Sequence, residues 1–302
     1  MKLGCAAWCF TKEYGAPYDV GIETVGQLGY EGYELIVKSP RELDEYYTPS
    51  TIKRLKALGA TYNMRMSQFV IYHDVVEGLT SMKESVQAKA VDNFRKCAKV
   101  AQEFGCNLLD IVPHWIPGAS APVSYLPFYI HPNIVAMQKL RPKLTIDFPR
   151  DISWSEIWEN YVKGIRACVE VARQENVLVA MEPHANVIVG STDAYLHLFE
   201  RISSPLLGVN FDTAWLLVQR EYLPFSVYKL GGRIFHVHVR DGDGMLCYNH
   251  IPGQGIIDWE DLIAALRHVG YDGFLSLEIS EYEDPRDAAR KSQEYLRSVL
   301  AG

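Results

Sequence analysis

Short apolar runs alternate along the chain with longer segments in which apolar residues recur every three or four positions. The short runs predict buried strands, and the longer segments predict amphipathic helices. Predicted strands lie at residues 2–8, 30–36, 61–66, 108–113, 177–182, 207–211, 234–239 and 274–279. Predicted helices lie at residues 18–28, 50–58, 81–104, 156–174, 192–201, 216–230, 259–269 and 285–300.

Glycines and short polar residues mark several predicted helix ends. Gly29, Gly59 and Gly105 follow the last turns of the first three helices. Glycine is favoured there because it adopts the left-handed conformation without strain. The Ser-Thr-Asp cluster at 191–193 predicts the N-terminal cap of the helix at 192–201.

Eight strands alternating with eight helices predict an α/β fold, the (β/α)₈ or TIM barrel, at about 38 residues per unit. We expect one domain spanning residues 1–302. A doubly wound sheet is the alternative, and it usually carries a glycine-rich phosphate loop after its first strand. The corresponding turn here reads Trp8-Cys9-Phe10-Thr11, and the sequence contains no P-loop and no G-x-G-x-x-G motif.

One segment, residues 115–152, interrupts the alternation after the fourth strand and is rich in proline and aromatic residues. Loops of this length are uncommon unless they are functional. Because a loop that follows a barrel strand lies at the catalytic face, we predict a lid or a substrate wall. An oligomer contact or an insertion without a role in catalysis is the alternative.

Composition and charge exclude several classes of protein. Apolar residues make up 48% of the chain and charged residues 22%, which argues against disorder. The net charge of −7 and the lack of a basic block argue against binding to nucleic acid or an anionic membrane. No run approaches the ~18 apolar residues of a membrane helix, and no apolar region typical of a signal peptide follows Met1. Six cysteines without a C-x-x-C pair predict free thiols in a reducing cytoplasm.

Each of the last four predicted strands has an acidic residue or a histidine at or next to its carboxyl end: Glu182, Asp212, His238 and Glu278. These residues are 30, 26 and 40 positions apart, or one βα unit each, so the barrel directs all four to one point. Three carboxylates in a dry barrel mouth would repel one another unless a cation lay between them. One histidine with three carboxylates predicts one divalent metal ion, with Mn²⁺ favoured over Mg²⁺, Co²⁺, Zn²⁺ or Fe²⁺.

The motifs E-P-H (from Glu182), N-F-D-T (from Asn210), H-V-H-V-R-D (from His236), P-G-Q-G-x-x-D-W (from Pro252) and F-L-S-L-E (from Phe274) resemble those of the xylose isomerase-like TIM barrels. That superfamily includes sugar phosphate isomerases and epimerases, ketose 3-epimerases, inosose dehydratases and the endonuclease IV group. The resemblance implies metal ligation by the four strand-end residues, with Glu182 and Glu278 as the acid/base pair. It also implies that the loop at 251–255 lies near the substrate, and that the protein is a homo-oligomer.

Three positions differ from the patterns of particular members. Trp215 stands where the endonuclease-type members have a metal-binding histidine, and Cys247-Tyr248-Asn249-His250 replaces their D-x-H pair. A three-zinc DNA repair site is therefore disfavoured. Gly244 stands where the ketose 3-epimerases have an arginine, so the resemblance does not extend to a free ketohexose as substrate.

Further residues near the strand ends are candidates for binding the substrate. For each of them a structural role is the alternative: orientation of a ligand, packing in the barrel or, for Arg240, pairing with the barrel carboxylates. The candidates are His184, His236, Arg240, Glu34, His114 and Trp215, together with His73 and Trp8.

We expect a metal-dependent isomerase or epimerase that removes a proton next to a carbonyl of a sugar, keto-sugar or cyclitol through a metal-bound enediolate. The same ligand set would serve a lyase, either an inosose-type dehydratase or an enzyme that eliminates from a 3-keto-glycoside. A non-catalytic carbohydrate-binding barrel is a third hypothesis, and a nuclease is a fourth. The expected partner is a small carbohydrate.

Overall fold

Eight parallel strands pair in sequence order, and the eighth closes on the first. This arrangement, seen in a computed structural model that describes residues 1–119, 147–244, 249–279 and 282–302, confirms the predicted TIM barrel. That the whole chain forms one domain stays a prediction. The strands are β1 (Lys2–Ala6), β2 (Gly32–Val37), β3 (Arg65–Ile71), β4 (Leu108–Ile111), β5 (Leu178–Met181), β6 (Leu207–Asp212), β7 (Ile234–Val239) and β8 (Phe274–Leu277).

Ten α-helices surround the barrel in the part of the chain that the structure describes. Seven of them begin after a Ser, Thr or Asp whose side chain accepts a hydrogen bond from the backbone N–H three residues later, which is the usual N-cap. The helices are α1 (Asp19–Gln27), α2 (Pro40–Glu45), α3 (Pro49–Thr61), α4 (Glu84–Phe104), α5 (Trp154–Glu175), α6 (Thr192–Arg201), α7 (Thr213–Val218), α8 (Leu223–Leu230), α9 (Trp259–His268) and α10 (Pro285–Ala301).

The third strand lies at Arg65–Ile71, so the prediction of residues 61–66 was wrong. The error arises at Gly59, which lies inside α3 instead of ending it. A Cβ at Gly59 would lie 2.5 Å from Cε1 of Tyr33, so the glycine lets a β2 side chain pack against the helix. The chain leaves the helix at Asn63, which adopts the left-handed conformation with φ of 55°.

The helix predicted at 216–230 is two helices, α7 and α8. Arg220 has a φ of 67°, which the α-helix does not allow, and the chain therefore breaks there. Pro224 lies in the first turn of α8, where its missing N–H costs no hydrogen bond. The first of these helices, α7, begins directly after β6, so Asp212 is both the last strand residue and the N-cap of α7.

The long insertion after the fourth strand is confirmed, because β4 ends at Ile111 and α5 begins only at Trp154. Most of the segment, residues 120–146, lies outside the described residues, so its role as a lid or wall stays a prediction. Cys5, Cys9, Cys97, Cys106 and Cys168 are buried free thiols, as predicted, and Cys247 is not among the described residues. Among the described helices, none combines the length and apolarity that crossing a bilayer requires.

Candidate active site

The carboxyl-terminal ends of all eight strands border one cavity of about 260 Å³. Its lining therefore combines residues that are far apart in sequence, as expected for the catalytic mouth of a barrel. The described lining residues are Trp8, Tyr14, Ile36, Lys38, Tyr72, His73, Val112, Pro113, Trp115, His184, Trp215, Arg240 and Glu278. The lining includes four polar or aromatic residues that the sequence patterns do not identify as binding residues: Tyr14, Lys38, Tyr72 and Trp115.

Glu182, Asp212, His238 and Glu278 converge beside this cavity, and one potential ligand atom from each lies within 4.8 Å of all the others. Nδ1 of His238 lies 2.7 Å from Oε1 of Glu182, 3.4 Å from Oε2 of Glu278 and 3.9 Å from Oδ2 of Asp212. The Glu278 side chain is 23% exposed, whereas the other three are at most 5% exposed. We call these four residues the ligand cluster.

The ligand cluster holds opposing charges in a dry environment. Burial raises the pKa of Asp212 to about 6 although Arg240 lowers it, and Glu182 and Glu278 raise it further. Burial also opposes ionisation of Glu182, but His238 and His184 hold its pKa well below the usual range. Three convergent carboxylates and one imidazole fit a small divalent cation that prefers oxygen ligands, since its charge offsets their repulsion.

Glu34 lies beneath the ligand cluster and contacts two histidines. It is an interior residue of β2 and not, as predicted, the end of a strand. Its Oε1 is 2.8 Å from Nε2 of His236, and its Oε2 is 2.9 Å from Nε2 of His238. Burial opposes its ionisation, but the two histidines hold its pKa below the ordinary range. His238 therefore points Nδ1 to the ligand cluster and Nε2 to Glu34.

Three further polar residues surround His238 in the barrel interior and were missed in the sequence. Gln68 lies with its Nε2 2.8 Å from Oε2 of Glu34. Asn210 donates to Oδ2 of Asp110 at 3.1 Å and lies 3.2 Å from Nδ1 of His238. A usable signal existed for Asp110, because it is the one polar residue of the apolar strand β4, and buried polar groups need partners.

The remaining predicted substrate residues fall in different places. His184 lines the cavity, with Nε2 3.0 Å from Oε2 of Glu182 and its ring stacked on Trp215 at 4.3 Å. Arg240 also lines the cavity and contacts Asp212. His236 is buried with Glu34 and, like Glu34, is absent from the described lining of the cavity.

His114 borders a separate cavity of about 700 Å³ and is also absent from the described lining of the smaller one. Its Nε2 lies 3.0 Å from the carbonyl of Val76, and its ring packs on Tyr161. Burial lowers its pKa to about 4, so the ring is neutral near pH 7. His73 lines both cavities and lies edge-on to Trp115, with ring centroids 4.6 Å apart.

Asp241 anchors the glycine-containing loop at 251–255. Its Oδ1 accepts hydrogen bonds from the backbone N–H groups of Gly242 and Ile257, at 2.9 and 3.2 Å. Its Oδ2 accepts from the N–H of Gly253 at 2.9 Å and from Nε1 of Trp259 at 2.8 Å. The fully buried carboxylate thus meets four donors, and it ties the segment after β7 to the start of α9.

Asp241→Asn is expected to lower the free energy of unfolding by about 1–3 kcal/mol, because the amide Nδ2 would face two of these N–H donors and leave them unsatisfied. Urea unfolding followed by circular dichroism measures the change. Asp151→Asn, at an exposed position, is the matched control. An Asp241→Asn protein as stable as the wild type would show that the carboxylate does not hold the loop.

The chain is similar to several known proteins over most of its length. The chain is 23% identical over 290 residues to fructoselysine 3-epimerase of Escherichia coli O157:H7, and the alignment covers 94% of each sequence. The structure of D-psicose 3-epimerase with D-tagatose, from Clostridium cellulolyticum H10, matches with a TM-score of 0.77 at 18% identity and covers 99% of both chains. The IolI protein with a bound zinc atom matches with a TM-score of 0.73 at 16% identity, covering 100% of this chain and 98% of that one.

The model of one protein family, described as the xylose isomerase-like TIM barrel, matches residues 22–299. This match covers most of the chain and includes every residue of the ligand cluster. It confirms the resemblance that the strand-end motifs indicated. The chain therefore belongs to the xylose isomerase-like TIM barrel family.

Proposed function

We propose that this protein epimerises or isomerises a sugar or keto-sugar by moving a proton at a carbon next to a carbonyl. The observation that carries the proposal is the position of two carboxylates, Glu182 and Glu278, against one imidazole nitrogen beside the cavity. They lie 2.7 and 3.4 Å from Nδ1 of His238. Two relatives matched over nearly the whole chain, the fructoselysine and D-psicose enzymes, are named 3-epimerases. Relatives matched over about half of the chain are named inosose dehydratases, which keeps the lyase as the second candidate.

We assign Glu182, Asp212, His238 and Glu278 as the residues that would hold one divalent metal ion, Mn²⁺ being our choice. Such a cation, when bound, polarises a carbonyl and stabilises negative charge on oxygen. The IolI protein, which shares the fold, binds a zinc atom, which supports a divalent metal ion in this protein. The ligand cluster also suits a hard cation because three of its four donors are carboxylates.

Glu278 and Glu182 are proposed as the acid/base pair. Glu278 lines the cavity and is the most exposed residue of the ligand cluster, so its carboxylate can reach a substrate C–H bond. Glu182 is deeper, and His184 and His238 keep it in the charged form, which is the form that a general base must have. Because the two carboxylates come from β5 and β8, they can act on a substrate from different sides.

The cavity walls suggest how a sugar would be held. His184 and Arg240 offer donors for hydroxyl or carbonyl oxygens, while Trp8, Trp115 and Trp215 offer flat apolar surfaces for the carbon skeleton. We propose His184, Arg240 and Trp215 as substrate contacts. For Glu34 and His236 we propose instead a role in orienting His238, because they contact it or each other in the barrel interior.

Solvent deuterium exchange tests the proposal. The protein is loaded with Mn²⁺ and incubated in D₂O with ketohexoses, 3-keto-glycosides and inososes, and products are analysed by proton NMR and mass spectrometry. Incorporation of deuterium at carbon with an unchanged molecular formula is the expected result. Loss of water or of an aglycone would instead assign a lyase, and saturable binding without exchange would assign a carbohydrate-binding barrel.

A further inference from the structure

Arg240 brings a permanent positive charge into the ligand cluster. Only 4% of the residue is exposed, and a guanidinium remains protonated at any physiological pH. Its Nη2 contacts Oδ2 of Asp212 and lies 3.3 Å from Oε2 of Glu278. These are carboxylate oxygens that the ligand cluster would offer to a metal ion.

The backbone holds this guanidinium in place. Thr213 directly follows Asp212, and its Oγ1 donates to the carbonyl of Arg240 at 2.6 Å and accepts from the N–H of Arg240 at 3.0 Å. On the other side, the guanidinium carbon lies 5.5 Å from the centroid of the Trp215 ring. Arg240 is therefore fixed next to Asp212 by the end of β6 and the start of α7.

The charges of the site explain what the Arg240 guanidinium does there. Two buried carboxylates, Glu182 and Asp212, lie close to the partly exposed Glu278, and their mutual repulsion destabilises the site unless positive charge offsets it. Removal of one member of a buried ion pair leaves the other uncompensated. A divalent ion requires the same oxygens and an unprotonated nitrogen of His238. A guanidinium that already contacts these oxygens competes with the ion and repels it, but it compensates the carboxylates when the ion is absent.

We propose that Arg240 is an internal counter-cation of the metal site, which stabilises the metal-free barrel and weakens metal binding. The inference rests on the metal site of the proposed function and adds a control on its occupancy. A residue that only aligns the carboxylates would strengthen metal binding instead. A residue that only contacts the substrate would leave metal affinity in the absence of substrate unchanged. The sign of the change in affinity therefore separates the three roles.

The test compares the wild type with Arg240→Met, which removes the charge at similar length, and Arg240→Lys, which retains it. Mn²⁺ affinity is measured by titration calorimetry without substrate, and the melting temperature is measured in EDTA and in Mn²⁺. Arg233→Met is the control, because Arg233 bonds the carbonyls of Ser204 and Leu207 next to the opposite end of β7. Any change in Mn²⁺ affinity that Arg233→Met causes would come from a general loosening of the barrel and not from a lost charge beside the ligand cluster.

We expect Arg240→Met to bind Mn²⁺ at least ~10-fold more tightly than the wild type, a difference of about 1.4 kcal/mol. We also expect a lower melting temperature in EDTA and a larger rise with Mn²⁺ than in the wild type. Arg240→Lys keeps the charge and should stay near the wild-type affinity, and Arg240→Gln, which also removes the charge, carries the comparison if Arg240→Met fails to fold. Arg233→Met should keep the wild-type affinity.

Unchanged or weaker Mn²⁺ binding by folded Arg240→Met, or by Arg240→Gln in its place, would overturn the inference and leave the proposed function standing. An equal gain in affinity for Arg233→Met would also overturn it, because the effect would then not be local. Failure of the wild type to bind Mn²⁺ would contradict the metal site of the proposed function itself, and the inference would fall with it.

Discussion

Glu278→Gln is expected to lower the rate of proton exchange on a keto-sugar by ~10²- to 10⁴-fold, the range that a positioned acid or base contributes. The amide retains the size of the side chain and one oxygen, but it cannot take up a proton from carbon. The same change should reduce retained Mn²⁺, because one of three carboxylates of the ligand cluster loses its charge. Deuterium exchange measured at saturating Mn²⁺ separates the catalytic loss from the loss of metal.

Elemental analysis after Mn²⁺ loading and desalting gives the second readout. We expect about one ion per wild-type chain, as one four-ligand cluster implies, and less in Glu278→Gln. Glu260→Gln, an exposed change on α9, should retain wild-type metal and activity. Exchange at the wild-type rate by Glu278→Gln would remove this residue from the acid/base pair. No retained metal in the folded wild type would remove the metal site and favour a binding role.

Glu34→Gln is expected to weaken Mn²⁺ binding by ~10- to 100-fold, the usual cost of losing a partner that orients a metal-binding histidine. Both oxygens of Glu34 face imidazole nitrogens, those of His236 and His238. Glutamine has one oxygen and one NH₂ group, so one histidine would face a donor and change its tautomer or turn away. Glu34 lies outside the ligand cluster, yet its substitution would change the protonation or the direction of the His238 nitrogen that faces the ligand cluster.

Two measurements test this role of Glu34. Calorimetry gives the Mn²⁺ affinity, and ¹⁵N NMR of the histidine rings in the Zn²⁺-loaded protein reports which nitrogen of His238 carries the proton. Glu23→Gln, at an exposed position of α1, is the control. Wild-type affinity in a folded Glu34→Gln protein, with the His238 tautomer unchanged, would show that Glu34 does not orient the ligand.

Much of this arrangement follows from local sequence. The strand at Ile234–Val239 and the helix at Thr192–Arg201 have the predicted bounds, because apolar runs, caps and turns are local signals. Convergence of Glu182, Asp212, His238 and Glu278 was also predictable. Once eight parallel strands close into a barrel, their carboxyl ends must meet at one face.

Contacts across the barrel were not predictable in this way. Gly59 lies inside a helix, where it leaves room for the ring of Tyr33 from a neighbouring strand. Its interpretation as a helix end therefore placed the third strand too early in the chain. Glu34 and His238 are 204 residues apart, and only the closed sheet brings β2 opposite β7. The sequence places Glu34 in a buried strand without indicating its partner.

The sequence by itself determined the alternation of strands and helices, the carboxylates and histidine at the strand ends, and the family to which the chain belongs. These depend on periodicity, caps and motifs, each contained within a few neighbouring residues. Only the tertiary structure decided that Glu34 contacts His238 and that Arg240 contacts two members of the ligand cluster. Such pairings depend on distances across the closed barrel, which local patterns do not encode.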